Sequence, residues 1–178
     1  MQAAQFRIKM LFKYKDLIFQ LVVRDLKLKY RRSFLGYVWS ILNPLLIMIV
    51  MTVVFSTMFS RSIENFPVYL LAGRTIFEFV TGSTTQAMHS VTANSALLKK
   101  AYVPKYIFTL SKITSALIDM VFSLGALIIV MAATHARVTL YILFLPVVLA
   151  QVYLFSLGLG FFLAQANVFF RDIQYIYK

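Results

Sequence analysis

The sequence predicts an all-α polytopic membrane protein, an N-terminal amphipathic helix followed by four transmembrane helices, and three observations carry that prediction. Residues 7–32 hold nine Lys and Arg against two Asp and run directly into Ser33 to Ser60, 28 residues without a charge. A second charge-free stretch, 33 residues long, separates Arg137 from Arg171. Across the chain 61% of residues are hydrophobic and 13% charged, with a mean hydropathy of +0.80. Soluble domains carry about a quarter charged residues, so an ordinary soluble fold is excluded.

The N-terminal segment, residues 7–32, comes first. Lys13, Asp16, Gln20, Arg24, Lys27 and Arg31 recur at steps of three or four, while Leu11, Tyr14, Ile18, Leu21, Val22 and Leu28 take the opposite face. This is the pattern of a helix lying on the inner leaflet. Electrostatic anchoring to anionic lipid is the simpler explanation of its charge, and contact with a partner protein the sharper one. Nucleic-acid binding is disfavoured despite the +12 net charge, because the basic residues flank apolar spans rather than forming one solvated patch.

The spans follow from length and charge, within a transmembrane region over 33–170. A hydrocarbon core of roughly 30 Å needs about 20 helical residues, and an unpaired charge at its centre costs about 2.5–3.5 kcal/mol. The expected spans are about 37–59, 68–90, 106–133 and 140–168. A cleaved signal peptide is rejected, because the first apolar run is too long and ends in Met58-Phe59-Ser60-Arg61. Grouping the N-terminal basic residues with Lys99, Lys100, Lys105, Lys112, Arg171 and Lys178 leaves only Arg61, Arg74 and Arg137 on the other side, which places the N-terminus in the cytoplasm. The outer loops, about Ser60 to Pro67 and Thr134 to Thr139, are too short to fold alone. Zero cysteines exclude disulfides and thiolate metal sites.

Between the second and third spans the chain reads Thr92-Ala-Asn-Ser-Ala-Leu-Leu-Lys-Lys-Ala-Tyr-Val-Pro-Lys105. Asn94 or Ser95 is expected to cap a two-turn cytoplasmic helix, with Leu97, Leu98 and Tyr102 as an apolar ridge and Pro104 ending the run. A topogenic lysine cluster at Lys99, Lys100 and Lys105 would not need that ridge.

Catalytic motifs are missing. No Gly-x-x-x-x-Gly-Lys-Ser/Thr loop, His-Glu-x-x-His or Gly-x-Ser-x-Gly occurs, so the chain is read as no enzyme, with no metal or cofactor of its own. The two histidines, His89 and His135, are expected on opposite membrane faces. Three ionisable residues fall inside spans: Arg74 and Glu78, i,i+4 neighbours able to pair, and Asp119 near the middle of the third. They are candidates for function, with polar helix–helix contact as the plainer explanation. Ser156, Gly160 and Ala164, with Gly158 between, form a small-residue stripe for close helix packing. Aromatic residues such as Tyr37, Trp39, Phe77 and Phe79 suit an interfacial belt or core, and flat apolar faces would also stack on sugar rings.

Taken together, Arg24-Asp-Leu-Lys-Leu-Lys-Tyr-Arg-Arg-Ser-Phe-Leu-Gly-Tyr-Val-Trp39, Leu42-Asn-Pro-Leu45, Tyr69-Leu-Leu-Ala-Gly73, Asn94 to Lys105 and Asn167-Val-Phe-Phe-Arg-Asp-Ile173 resemble the type-2 ABC export permeases of the polysaccharide and polyol-phosphate kind, the O-antigen, capsule and teichoic-acid exporters. The resemblance covers nearly the whole chain. It implies a multi-pass permease of the bacterial cytoplasmic membrane, a homodimer moving a lipid-linked glycan or polyol-phosphate polymer, docked on separate cytoplasmic subunits that bind ATP and Mg. It also implies roles. Asn94, Leu97, Leu98, Lys99, Lys100, Tyr102 and Lys105 match a coupling helix seated in the ATPase; Arg24, Asp25, Lys27 and Arg31 match an interface helix; Arg171 and Asp172 match a charged pair at the inner end of the fourth span.

Two departures accompany it. Arg74-Thr-Ile-Phe-Glu78 follows Gly73 where many members have Leu-Pro-Trp-like residues, and no fifth or sixth span follows residues 171–178, so an N-terminal fragment of a six-span permease is expected. A secondary or ion-coupled carrier using Arg74, Glu78 and Asp119 is the alternative reading, and a non-transporting membrane scaffold another.

Overall fold

A computed structural model describes residues 13–30, 36–59, 65–100, 102–136 and 139–177. Among them every regular element is helical: α1 (Lys15–Tyr30), α2 (Trp39–Phe59), α3 (Phe66–Ala93), α4 (Ser95–Lys100), α5 (Tyr106–Ala133), α6 (Leu145–Phe169) and α7 (Ile173–Ile176), with short 3-10 turns at Gly36–Val38 and Leu140–Phe144.

Two helical stretches are long and apolar enough to cross a membrane, Tyr106–Ala133 and Leu140–Phe169, and the shorter apolar stretch Trp39–Phe55 lies within α2. α3 is also 28 residues long, but Arg74, Glu78 and a run of Ser, Thr and Gln after Thr81 dilute its apolar character. The helix expected over 68–90 therefore exists and is longer, but it is not among the stretches long and apolar enough to cross a membrane. Local chemistry explains the ends of α5. Pro104 disfavours helix at Val103, and the chain restarts with Ile107 N–H bonded to the Pro104 carbonyl at 3.1 Å. At the other end His135 takes φ of 50°, and Ala136 N–H reaches back to the Met131 carbonyl at 3.0 Å. That six-residue closure satisfies a terminal carbonyl in the manner of a Schellman motif.

The helices divide into two compact units. Unit 1 comprises residues up to Arg31, Ser83–Ser115 and Ser156–Lys178; unit 2 comprises Arg32–Gly82 and Ala116–Phe155. In unit 2, Leu71, Ala126 and Val130 form a buried core, flanked by Ile41, Leu45, Met48, Val68 and Leu127. Unit 1 has an apolar centre of Leu21, Ile107 and Phe108, with Tyr14, Leu17, Ile18, Leu97, Leu98, Val103 and Tyr106 packed on it. The stripe Ser156, Gly160 and Ala164 is buried there. A Cβ on Gly160 would stand 2.7 Å from Ile113 Cδ1 and 3.0 Å from the Ala87 Cβ, so only glycine lets these helices approach so closely.

Candidate coupling site

Unit 1 brings the amphipathic helix and the start of the loop helix into direct contact. α1 buries Leu21 and Val22, as its apolar stripe predicts, although Leu28 of the same stripe is 58% exposed. Arg24 does not extend freely on an opposite face. Its Nη1 and Nη2 each donate to Asn94 Oδ1 at 3.2 Å, and its Nη2 and Nε donate to Asp25 Oδ1 at 2.9 and 3.2 Å. The second carboxylate oxygen of Asp25 lies 2.9 Å from Lys112 Nζ, in the second turn of α5. Three helices are thus tied through one carboxylate and one amide.

Burial makes this network matter. The Asp25 side chain is 9% exposed, Lys112 22% and Arg24 41%. A carboxylate so enclosed is costly unless paired, and here two cations share it. Charge-assisted bonds are also the stronger and more directional ones. The arrangement leaves one net positive charge, carried mainly by the more exposed Arg24.

Asn94 has two functions in this geometry. Its backbone carbonyl accepts from the N–H groups of Leu97 and Leu98, both at 3.1 Å, which starts α4. Its side chain does not cap that helix, contrary to expectation: Nδ2 donates to the Ser90 carbonyl at 2.8 Å while Oδ1 receives Arg24. The amide joins the end of α3 to α1, and its burial explains why it prefers these partners to the free N–H groups of a surface turn. Ser90 continues the network, its hydroxyl 2.9 Å from that of Thr109 on α5. Farther along, Asn167 Nδ2 donates to the Met88 carbonyl at 3.1 Å, and the Thr84 and Tyr177 hydroxyls are 2.6 Å apart.

The ridge expected from Leu97, Leu98 and Tyr102 is split. Leu97 and Leu98 pack inward on the Leu21, Ile107 and Phe108 centre, whereas Tyr102 is 98% exposed. The physical reason is that α4 ends at Lys100, so Tyr102 no longer shares the helical face of the leucines. Lys99 and Lys105 are exposed, as is Lys27 on α1. Arg31 lies outside the described residues, as does the side chain of Lys100. Arg171 and Asp172 sit exposed on the turn between α6 and α7, where the Asp172 carbonyl accepts from Tyr175 N–H at 2.9 Å. In unit 2, Arg74 and Glu78 form their i,i+4 ion pair. Asp119 also has an interaction partner, and its carbonyl accepts from the Ser123 hydroxyl at 3.2 Å.

Sequence reasoning missed Lys112, which it counted only as a topogenic charge, and the Ser90–Thr109 pair. A signal for Lys112 existed, since an ionisable residue two turns into an apolar helix needs a partner. Nothing in periodicity pointed to the two hydroxyls.

Residues 16–177 match the ABC-2 type transporter family. The O-antigen export system permease protein RfbA of Myxococcus xanthus is 32% identical over 169 residues, which cover 95% of this chain and 65% of that protein. Two proteins of the same name from Klebsiella pneumoniae are 26% and 27% identical over 160 residues, 89% of this chain and 62% of theirs. The chain thus spans a little under two-thirds of the length of the curated relatives it matches. With the family match running from the first turn of α1 through α7, and with apolar helices long enough to cross a bilayer, this membrane-embedded chain belongs to the ABC-2 type transporter family.

Proposed function

We propose that the chain is the permease subunit of an ABC exporter that moves a lipid-linked polysaccharide or polyol-phosphate polymer outward across the bacterial cytoplasmic membrane. ATP and Mg are bound and hydrolysed by a separate cytoplasmic subunit, and two permease chains form the path. In this reading α2, α3, α5 and the stretch Leu140–Phe169 are the four spans, and the N-terminus, α1 and α4 face the cytoplasm. Likeness to the named O-antigen permeases supports the cargo class.

The observation that carries the mechanism is the double bond from Arg24 to Asn94. It makes α1 and α4 one body, braced on α5 by Asp25 and Lys112. Closure of the ATPase dimer against α4 would then move α1 and the inner end of α5 together, rather than bending a loose loop. Lys99 and Tyr102 present a charge and an aromatic ring outward beside α4, a surface that suits a groove on the ATPase. Leu97 and Leu98 hold α4 in place from below.

The carrier alternative draws no support from Arg74 and Glu78, which pair with one another on a single helix, or from Asp119, which is also engaged. The test is co-purification with a cytoplasmic P-loop ATPase, followed by polymer export in cells. Lys99→Glu combined with Tyr102→Ala is expected to abolish association while leaving helical content unchanged. Undiminished association would remove α4 from the docking surface. Solute uptake driven by protons or sodium, independent of any ATPase and lost on Asp119→Asn, would replace export with the carrier.

A further inference from the structure

Unit 1 contains a half-open cavity of about 230 Å³ between the first turns of α5 and the last turns of α6. Its lining is mostly apolar, with Phe161, Val168 and Phe169 prominent, and Lys105 and Gln165 are among its polar members. Lys105 and Gln165 are exposed, and neither side chain has a hydrogen-bonding or ionic partner among the described residues. The volume is several times the roughly 30 Å³ share of one water molecule, enough for a phosphate with its glycerol. A cation and an amide in a mostly apolar lining, at the end of two apolar helices, provide for an anion attached to a hydrocarbon chain.

We infer that this cavity binds the phosphate of an anionic phospholipid, with Lys105 as its counter-ion, Gln165 as a hydrogen-bond donor and Phe161 and Phe169 against the upper acyl chain. Its place in the inner leaflet rests on the topology proposed above; binding itself does not depend on export. The site also has a route to α4, because Tyr106 in its lining packs on the same centre as Leu97 and Leu98. An occupied cavity would hold the first turn of α5 and thereby steady the seat of α4.

The test uses the purified chain in nanodiscs of phosphatidylcholine with a minority of phosphatidylglycerol, with bound lipid counted by native mass spectrometry. The chain is expected to retain phosphatidylglycerol in preference to phosphatidylcholine. Lys105→Gln should lose about fivefold in affinity for it, the size of one lysine contact with an anionic surface, Lys105→Arg should retain it, and Lys13→Gln, which is not part of the cavity lining, should bind as the parent does. Excess inorganic phosphate should not displace the lipid. Equal retention by Lys105→Gln, an equal loss in Lys13→Gln, or displacement by free phosphate would each overturn the proposal. The assay contains no ATPase and no glycan, so its failure is distinct from a failure of the export reading.

Discussion

Units 1 and 2 are built from segments of the same long helices, yet different forces hold them. Among the described residues, the buried polar side chains of unit 2 reduce to Thr75, whose hydroxyl returns to the Leu71 carbonyl of its own helix. Unit 1 buries Ser83, Thr84, Ser90, Asn94, Thr109, Ser111, Ser115, Ser156 and Asn167. Several of these bond from one element to another. In a membrane, apolar packing between helices gains little over packing against lipid, so polar contacts supply direction and register where small residues allow approach. Unit 1 therefore owes its arrangement in part to buried polar contacts. That suits the region which, in the function proposed above, receives force from the ATPase.

Close approach in unit 1 gives one of the two largest expected effects. Gly160→Val should cost about 1–3 kcal/mol and lower the thermal midpoint, because its side chain would meet Ile113 and Ala87. Gly125→Ala in unit 2 is the matched control: nothing lies within 4 Å of the added Cβ, so it should be neutral or stabilise by up to about 1 kcal/mol. Equal losses at both positions would erase the contrast.

Next comes the ionic network. Asp25→Asn leaves Lys112 without its counter-charge and weakens the hold on Arg24, and it should cost about 1.5–3 kcal/mol by chemical denaturation. Glu78→Gln in unit 2 breaks a pair confined to one exposed helix face and should cost under about 1 kcal/mol. The smallest effect is at Tyr106, whose buried hydroxyl has no hydrogen-bond partner among the described residues. Tyr106→Phe should stay within about 0.5 kcal/mol of the parent or stabilise it, since no bond is lost; a larger loss would reveal a partner for that hydroxyl.

What was legible in the sequence divides along the same line. The bounds of α5 could be read because Pro104 and the charges around it act locally, and the Arg74–Glu78 pair because i,i+4 spacing fixes neighbours on one helix. The small stripe of α6 was also legible from its own spacing. The bond between Arg24 and Asn94 was not, because 70 residues separate them and an arginine on a polar helical face looks solvated until its neighbour is known. Tyr102 was misplaced for a related reason: composition allowed α4 to continue, and only the early stop at Lys100 turned the ring away from the leucines.

The central claim is that α1 and α4 act as one body through Arg24 and Asn94, and a double-mutant cycle tests it most directly. Affinity for the proposed ATPase subunit would be measured for the parent, Arg24→Ala, Asn94→Ala and the double variant. The account predicts that the two substitutions are coupled by at least about 1 kcal/mol, the second costing much less once the first is made. Additivity within about 0.3–0.5 kcal/mol would contradict it, and the two helices would then contact the ATPase independently.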